Sequence, residues 1–163
     1  MSCLVRPAKL TDAPELARLI LELGYTSSVP EIESRLQALL LRPNHFIAVA
    51  AGDPPSLLGW IAAERRLILE SGEIVDIVGL VVDATQQRAG VGRALVAATE
   101  QWAASVGLPT LWVCSNVART ASHPFYESLG YVRIKTQHAY VKTLGPAWRL
   151  KYQLLRNTLS VLA

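Results

Sequence analysis

Cysteine is scarce, 2 in 163 residues, and Cys3 and Cys114 make neither a disulfide framework nor a metal-ligand spacing. Both lie in apolar, strand-like segments and are expected to be buried free thiols. His45, His123 and His138 have no carboxylate or cysteine at a helical interval beside them, so no metal is expected. Long apolar runs are missing as well, since no stretch reaches the roughly eighteen residues that a membrane-spanning helix needs. The opening Met1-Ser2-Cys3-Leu4-Val5-Arg6-Pro7 lacks the features of a secretory signal, and the expected location is the cytoplasm. Charge of one sign is also lacking. Lys plus Arg number 16 against Asp plus Glu 13, with no basic run that would track nucleic acid, so no nucleic-acid partner is expected.

What the chain does have is apolar residues, 51% of the total, ample for one core, and residues 1–163 are expected to form a single domain. A strand at residues 4–6 leads to a helix capped by Thr11, with Leu16, Leu19, Ile20 and Leu23 at helical spacing up to Gly24. A second helix from about Glu31 carries Ile32, Leu36, Leu39 and Leu40 before Pro43 stops it. Apolar runs at residues 45–51, 57–68 and 73–82, the first two joined by Gly52-Asp53-Pro54-Pro55-Ser56, predict a meander of strands. A long helix opens at Gly90 with Val91, Leu95, Ala98 and Trp102 on one face. A strand at 110–115, a short helix closed by a left-handed Gly130, and a strand at 131–141 follow. The predicted order β-α-α-β-β-β-α-β-α-β is an α/β chain with a mixed sheet and helices over its faces.

Between Leu80 and Leu95 a buried strand passes through a short loop into a helix with two glycines at its start. Helix-opening N–H groups lack partners and carry the positive end of the macrodipole, and glycine lets an anion approach the main chain. Arg88 and Arg93 add charge. Such a turn holds a phosphate, or the glycines serve tight packing only. A dinucleotide fingerprint would want a small residue where Leu95 stands, and a nucleoside-triphosphate loop would want Gly-Lys-Ser/Thr.

The string Gln87-Arg88-Ala89-Gly90-Val91-Gly92 resembles the Gln/Arg-x-x-Gly-x-Gly/Ala motif of the GNAT family of N-acetyltransferases. Downstream, Leu111-Trp112-Val113-Cys114-Ser115-Asn116 and Phe125-Tyr126-Glu127-Ser128-Leu129-Gly130-Tyr131 look like the family's coenzyme-binding strand, asparagine and helix, in the family's order. The resemblance spans about residues 4–142. It implies the GNAT fold and acetyl-coenzyme A as cosubstrate. Amides of Gln87, Arg88, Ala89, Gly90, Val91, Gly92 and Arg93 would hold the pyrophosphate, and Leu80, Val81 and Val82 the pantetheine arm and acetyl carbonyl. It further implies coenzyme contacts from Asn116 and Tyr126, and acceptor contacts from the segment Tyr25, Thr26, Ser27 and Ser28. One departure stands out. Asn116 and Tyr126 are ten apart where seven is commonest, so residues 117–124 hold an extra helical turn or a longer loop; Arg119-Thr120-Ala121-Ser122-His123-Pro124-Phe125-Tyr126 resembles a stretch found in one subgroup.

The implied reaction is transfer of acetyl from acetyl-coenzyme A to a primary amine of a small molecule or peptide. Its leaving group is a thiolate, and a phenol of pKa about 10 can protonate a thiolate whose conjugate acid lies near 8.5. Tyr126 is the candidate acid, unless it only packs. The acceptor amine must lose a proton, for which Asp76 or Glu73 is the candidate base, with ordered water as the alternative. A regular strand puts Asp76 on the face of Val78, Leu80 and Val82; a bulge at Gly79 would reverse that. The rival reading is a non-catalytic acyl-coenzyme A sensor or scaffold. Residues 146–162 repeat Trp148, Tyr152, Leu155, Leu159 and Leu162 at helical spacing and predict an amphipathic helix that docks on its own domain, in a homodimer or, least favoured, on a membrane surface. Light scattering of a chain ending at Lys142 separates the first two: a dimer that falls to monomer on truncation supports the homodimer, and an unchanged mass supports docking within one chain.

Overall fold

The computed structural model describes residues 3–142 and 144. Their order is β1 (Leu4–Pro7), α1 (Ala13–Glu22), α2 (Val29–Leu40), β2 (His45–Ala51), β3 (Leu57–Ile68), β4 (Gly72–Val82), α3 (Val91–Ser105), β5 (Leu111–Val113) and α4 (Ser122–Ser128). The expected tail helix at 146–162 lies outside the described residues. The chain divides into two compact units between Cys114 and Ser115.

The first unit carries a five-stranded sheet in the order β1-β2-β3-β4-β5, antiparallel throughout except for the parallel β4–β5 pair. Its helices cover both faces. Adjacent strand residues point to opposite sides, and β3 shows it: a Cβ on Gly59 would meet Leu95 of α3, whereas Trp60 packs on the cluster of Leu16, Leu19, Ile32 and Leu36 from α1 and α2. The buried stripe of α3 is Val91, Leu95, Val96, Thr99 and Ala103. It is rotated from the expected one because Thr99 is tolerated inside by donating its hydroxyl to the Leu95 carbonyl at 3.2 Å. Trp102 sits at the margin, its ring stacked on Phe46 with centroids 5.2 Å apart.

The entry to α1 is organised by Asp12 rather than the expected Thr11, which lies inside a short 3-10 turn, Leu10–Asp12. The Asp12 carboxylate takes two hydrogen bonds of 2.8 Å from Arg6 and one of 2.8 Å from the Lys9 amide, and these hold its carboxyl below the usual range. α2 starts two residues earlier than expected because Ser28 and Glu31 cap it reciprocally, a Ser-x-x-Glu signal present in the sequence.

Three further expectations need correction. Cys114 is exposed and Cys3 only half-buried, because β5 ends at Val113 and leaves the following residue outside the sheet. The strand expected at 131–141 is not formed. Its alternation supplies a pattern, but a strand also needs a paired edge, and Val132 and Ile134 stand 81% and 68% exposed. Finally, β4 is not regular: Ala62 pairs with Gly79 and Ala63 with Ile77, so Val78 is an extra, bulged residue. Asp76 therefore shares a face with Gly79 and Val81, opposite Leu80 and Val82. The bulge fits Trp60, whose ring would lie 2.7 Å from any Cβ at Gly79.

At Gly59 a Cβ would stand 2.5 Å from the Val81 carbonyl oxygen, a backbone atom that cannot swing aside. A Gly59→Ala protein should therefore lose about 1–3 kcal/mol of stability, read as a lower urea midpoint at an unchanged slope.

Candidate active site

β4 leaves a row of backbone groups for a ligand. It is paired with β3 from Gly72 to Val82, but its ladder to β5 covers only Val75, Asp76 and Ile77. From Val78 to Val82 its outer edge has no strand partner among the described residues. Free strand edges accept extended ligands by main-chain hydrogen bonds, and Leu80, Val81 and Val82 occupy this one.

β4 then runs into the glycine turn. Residues 84–90 are exposed apart from a half-buried Gln86, Arg88 adopts φ 65° and Gly90 φ 85°, and α3 begins at Val91. No atom lies within 4 Å of a Cβ placed on Gly90, so space above the turn is open. Val91 and Gly92 are buried, and Gln87, Arg88, Ala89 and Arg93 face solvent. The left-handed glycine lets the chain reverse from strand to helix while the first N–H groups of α3 point away from the core. The residues present fit a pyrophosphate: the amides of a helix's first turn, the positive end of four helical turns and two exposed arginines, with the Ala89 amide alone already directed at the Gln86 carbonyl at 3.4 Å.

The acceptor-side candidates occupy the same unit. Tyr25 and Thr26 are exposed in the connection between α1 and α2, while Ser27 accepts a 3.0 Å bond from Arg35. Asp76 is nearly buried and accepts a 2.6 Å hydrogen bond from Arg66. It belongs to a polar row that the sequence did not reveal. His45, Glu64 and Asp76 are cross-strand neighbours, with His45 Nε2 3.4 Å from Glu64, and Glu64 3.3 Å from Arg66. Alternation had hidden the row, because its members come from three separate strands that only the register aligns. Glu73 forms an exposed two-pronged pair with Arg65 at 2.7 and 3.0 Å and lies about 20 Å along the strand from Leu80.

The second unit holds the remaining candidates. Asn116 uses its side-chain oxygen to accept the Ala118 amide at 2.9 Å, and its backbone carbonyl lies 3.2 Å from His123 Nε2. The loop after β5 is thus closed by Asn116, and the extra residues of the 116–126 interval are a longer loop rather than a helical turn. Pro124 falls in the first turn of α4, as expected. The ring of Tyr126 packs edge-on against Phe125 and Tyr131, with centroids 5.1 and 5.6 Å away. Burial disfavours its phenolate and pushes its pKa up to about 12, against a smaller pull downward from Arg119. The hydroxyl therefore stays protonated across the physiological range, and burial makes it a weaker acid than an exposed phenol.

A paired-then-open strand edge that runs through a left-handed glycine into a helix N-terminus suits a long ligand with an amide-bearing arm and a phosphate group. The comparisons agree. A profile of the acetyltransferase (GNAT) family matches residues 14–131. An aminoglycoside N(6')-acetyltransferase type 1 from Klebsiella aerogenes is 27% identical over 150 residues, which cover 88% of this chain and 98% of that protein. The solved aminoglycoside N-acetyltransferase AAC(6')-Iy in complex with CoA superposes with a TM-score of 0.78 at 18% identity, covering 88% of this chain and 96% of the other. Glucosamine-6-phosphate N-acetyltransferase from Arabidopsis thaliana gives a TM-score of 0.76 at 18% identity, over 86% and 99%. The chain belongs to the GNAT family of acetyltransferases, enzymes that move an acetyl group from acetyl-coenzyme A to an amine. Among the described residues no helix is long and apolar enough to cross a membrane.

Tyr126 should titrate well above its exposed counterparts. In an ultraviolet pH titration one tyrosine should ionise near 12, and that late step should vanish in Tyr126→Phe.

Proposed function

We propose that the acceptor is the primary amine of an amino sugar, acetylated by direct attack on the thioester in the cytoplasm. The observation that carries the coenzyme half of this reading is the open β4 edge at residues 78–82 leading into the left-handed turn at Gly90. The acceptor half is supported by the relatives, named for aminoglycosides and glucosamine 6-phosphate, and by the polar row of His45, Glu64, Arg66 and Asp76. Such a row offers both hydrogen-bond acceptors and donors to a hydroxylated, cationic ligand.

In this reading residues 87–93 hold the pyrophosphate through backbone amides. Backbone N–H groups at Leu80 to Val82 fix the pantetheine arm and steady the negative charge that develops on the acetyl oxygen as the amine attacks. Tyr126 donates its phenolic proton to the departing thiolate, and Asn116 offers its amide nitrogen to the pantetheine arm. Asp76, held by Arg66, takes the proton of the incoming ammonium through an intervening water. Tyr25, Thr26 and Ser27 border the acceptor. Both compact units act together as one acetyltransferase domain, a reading supported by a family match that runs across the division at Cys114.

The test is calorimetric titration of acetyl-coenzyme A into wild type and Gly92→Glu, then a free-thiol assay against a 6'-amino aminoglycoside, glucosamine 6-phosphate, a polyamine and a peptide N-terminus. The expected result is binding lost in Gly92→Glu and thiol released fastest with an amino sugar. Tyr126→Phe should lower kcat about a hundredfold or more, with the acetyl-coenzyme A KM little changed. Turnover only with the peptide would overturn the acceptor class, and coenzyme binding without turnover on any amine would favour the sensor.

A further inference from the structure

Arg18 stands on α1, outside the coenzyme turn, yet its guanidinium reaches the residue with which that turn begins. Nη1 donates to Asp83 Oδ2 at 2.7 Å, Nη2 to the Leu57 carbonyl at 2.9 Å, and Nε with Nη2 to the Glu15 carboxylate at 2.9 to 3.2 Å. The other oxygen of Asp83 accepts from the Thr85 amide at 2.9 Å and the Thr85 hydroxyl at 2.6 Å. One turn further along α1, Glu22 accepts from the Ala84 amide at 2.9 Å and lies 3.8 Å from Arg18 Nη1. Residues 83–85 are thus fastened to α1 just before the chain enters the exposed stretch that ends at Gly90.

A turn that grips an anion through main-chain amides must keep those amides aimed at one point. Residues 84–90 bury almost nothing, so burial cannot hold them, and their order has to come from polar anchors. A guanidinium suits this task because its planar fork can serve three elements at once, whereas an ammonium is a single point of attachment.

We propose that Arg18 is a positioning residue for acetyl-coenzyme A: acting through Asp83, it fixes the entry of the coenzyme turn and so pre-organises the amides that follow. The inference rests on the coenzyme reading of that turn. It separates binding from chemistry, because Arg18 touches neither the reacting atoms nor the acceptor segment.

The experiment is calorimetry with acetyl-coenzyme A, plus steady-state kinetics on the best amine, for wild type, Arg18→Met, Arg18→Lys, Asp83→Asn and the Arg18→Met/Asp83→Asn double variant. The coenzyme Kd and KM should rise roughly tenfold in Arg18→Met and in Asp83→Asn, and no further in the double variant, with kcat and the acceptor KM unchanged. Arg18→Lys, which keeps the charge and loses the fork, should recover only part of the loss. A folded Arg18→Met protein with wild-type coenzyme Kd overturns the proposal, as do additive losses in the double variant. Should Arg18→Met fail to fold, Asp83→Asn leaves the bonds from Arg18 to Glu15 and Leu57 in place, and an unchanged Kd there overturns the proposal equally. Wild-type protein that binds no acetyl-coenzyme A defeats the coenzyme reading itself, a result distinct from binding that survives in the variants.

Discussion

The left-handed backbone at Gly90 is the constraint on which the rest of the coenzyme site depends. A residue with a Cβ is disfavoured at φ 85°, and a right-handed residue there would carry the chain past the position from which α3 can pack. With glycine in place, Val91, Leu95 and Val96 drop onto the sheet while the amides before them stay exposed. The helix is thus held by its apolar face, and its positive end is left for a ligand. Arg88, also left-handed at φ 65°, stores about 1 kcal/mol or more of strain beside it. Strain at a single exposed loop residue is one mark of a conformation kept for binding rather than stability.

A second constraint is the bulge at Val78. By adding one residue to β4 it rotates the strand beyond Ile77, and β5 stops pairing at that same residue. The sheet therefore opens on the stretch that leads into the glycine turn, so the unpaired edge and the amides proposed to bind the pyrophosphate follow one another along the first unit. The Trp60 ring lies against Gly79, beside the bulge, where a side chain would not fit. Fold and proposed site are in this sense the same feature: the irregularity that interrupts the sheet leaves the edge on which the coenzyme is proposed to lie.

Much of this was legible in the sequence, for identifiable reasons. The strands His45–Ala51 and Leu57–Ile68 were bounded by turn residues, and α1, α2 and α3 by periodicity, so their extents follow from local pattern. Gly130 could be read as the left-handed residue that ends a helix, and its φ is positive; that Gly90, at a helix start, is left-handed too did not follow from the sequence. What was hidden is what depends on register or on partners. The face of Asp76 turned on a bulge, the polar row on the alignment of three strands, and the pair Arg18–Asp83 on two residues 65 apart in the chain. The alternation at 131–141 misled in the opposite direction, since a pattern without a paired edge does not make a strand. Thr99 carries no apolar signal, yet it is fully buried because its hydroxyl is satisfied within its own helix.

The central claim is that main-chain amides at the start of α3 hold the pyrophosphate of the coenzyme. Amide proton and nitrogen shifts of uniformly labelled protein, followed during titration with coenzyme A and separately with pantetheine, test it most directly. Pantetheine carries the amide arm without the pyrophosphate. The account predicts large shifts at Gly90, Val91, Gly92 and Arg93 with coenzyme A alone, and shifts at Leu80 to Val82 with both ligands. Equal perturbation of the turn by both ligands, or none at the turn with coenzyme A, would contradict it.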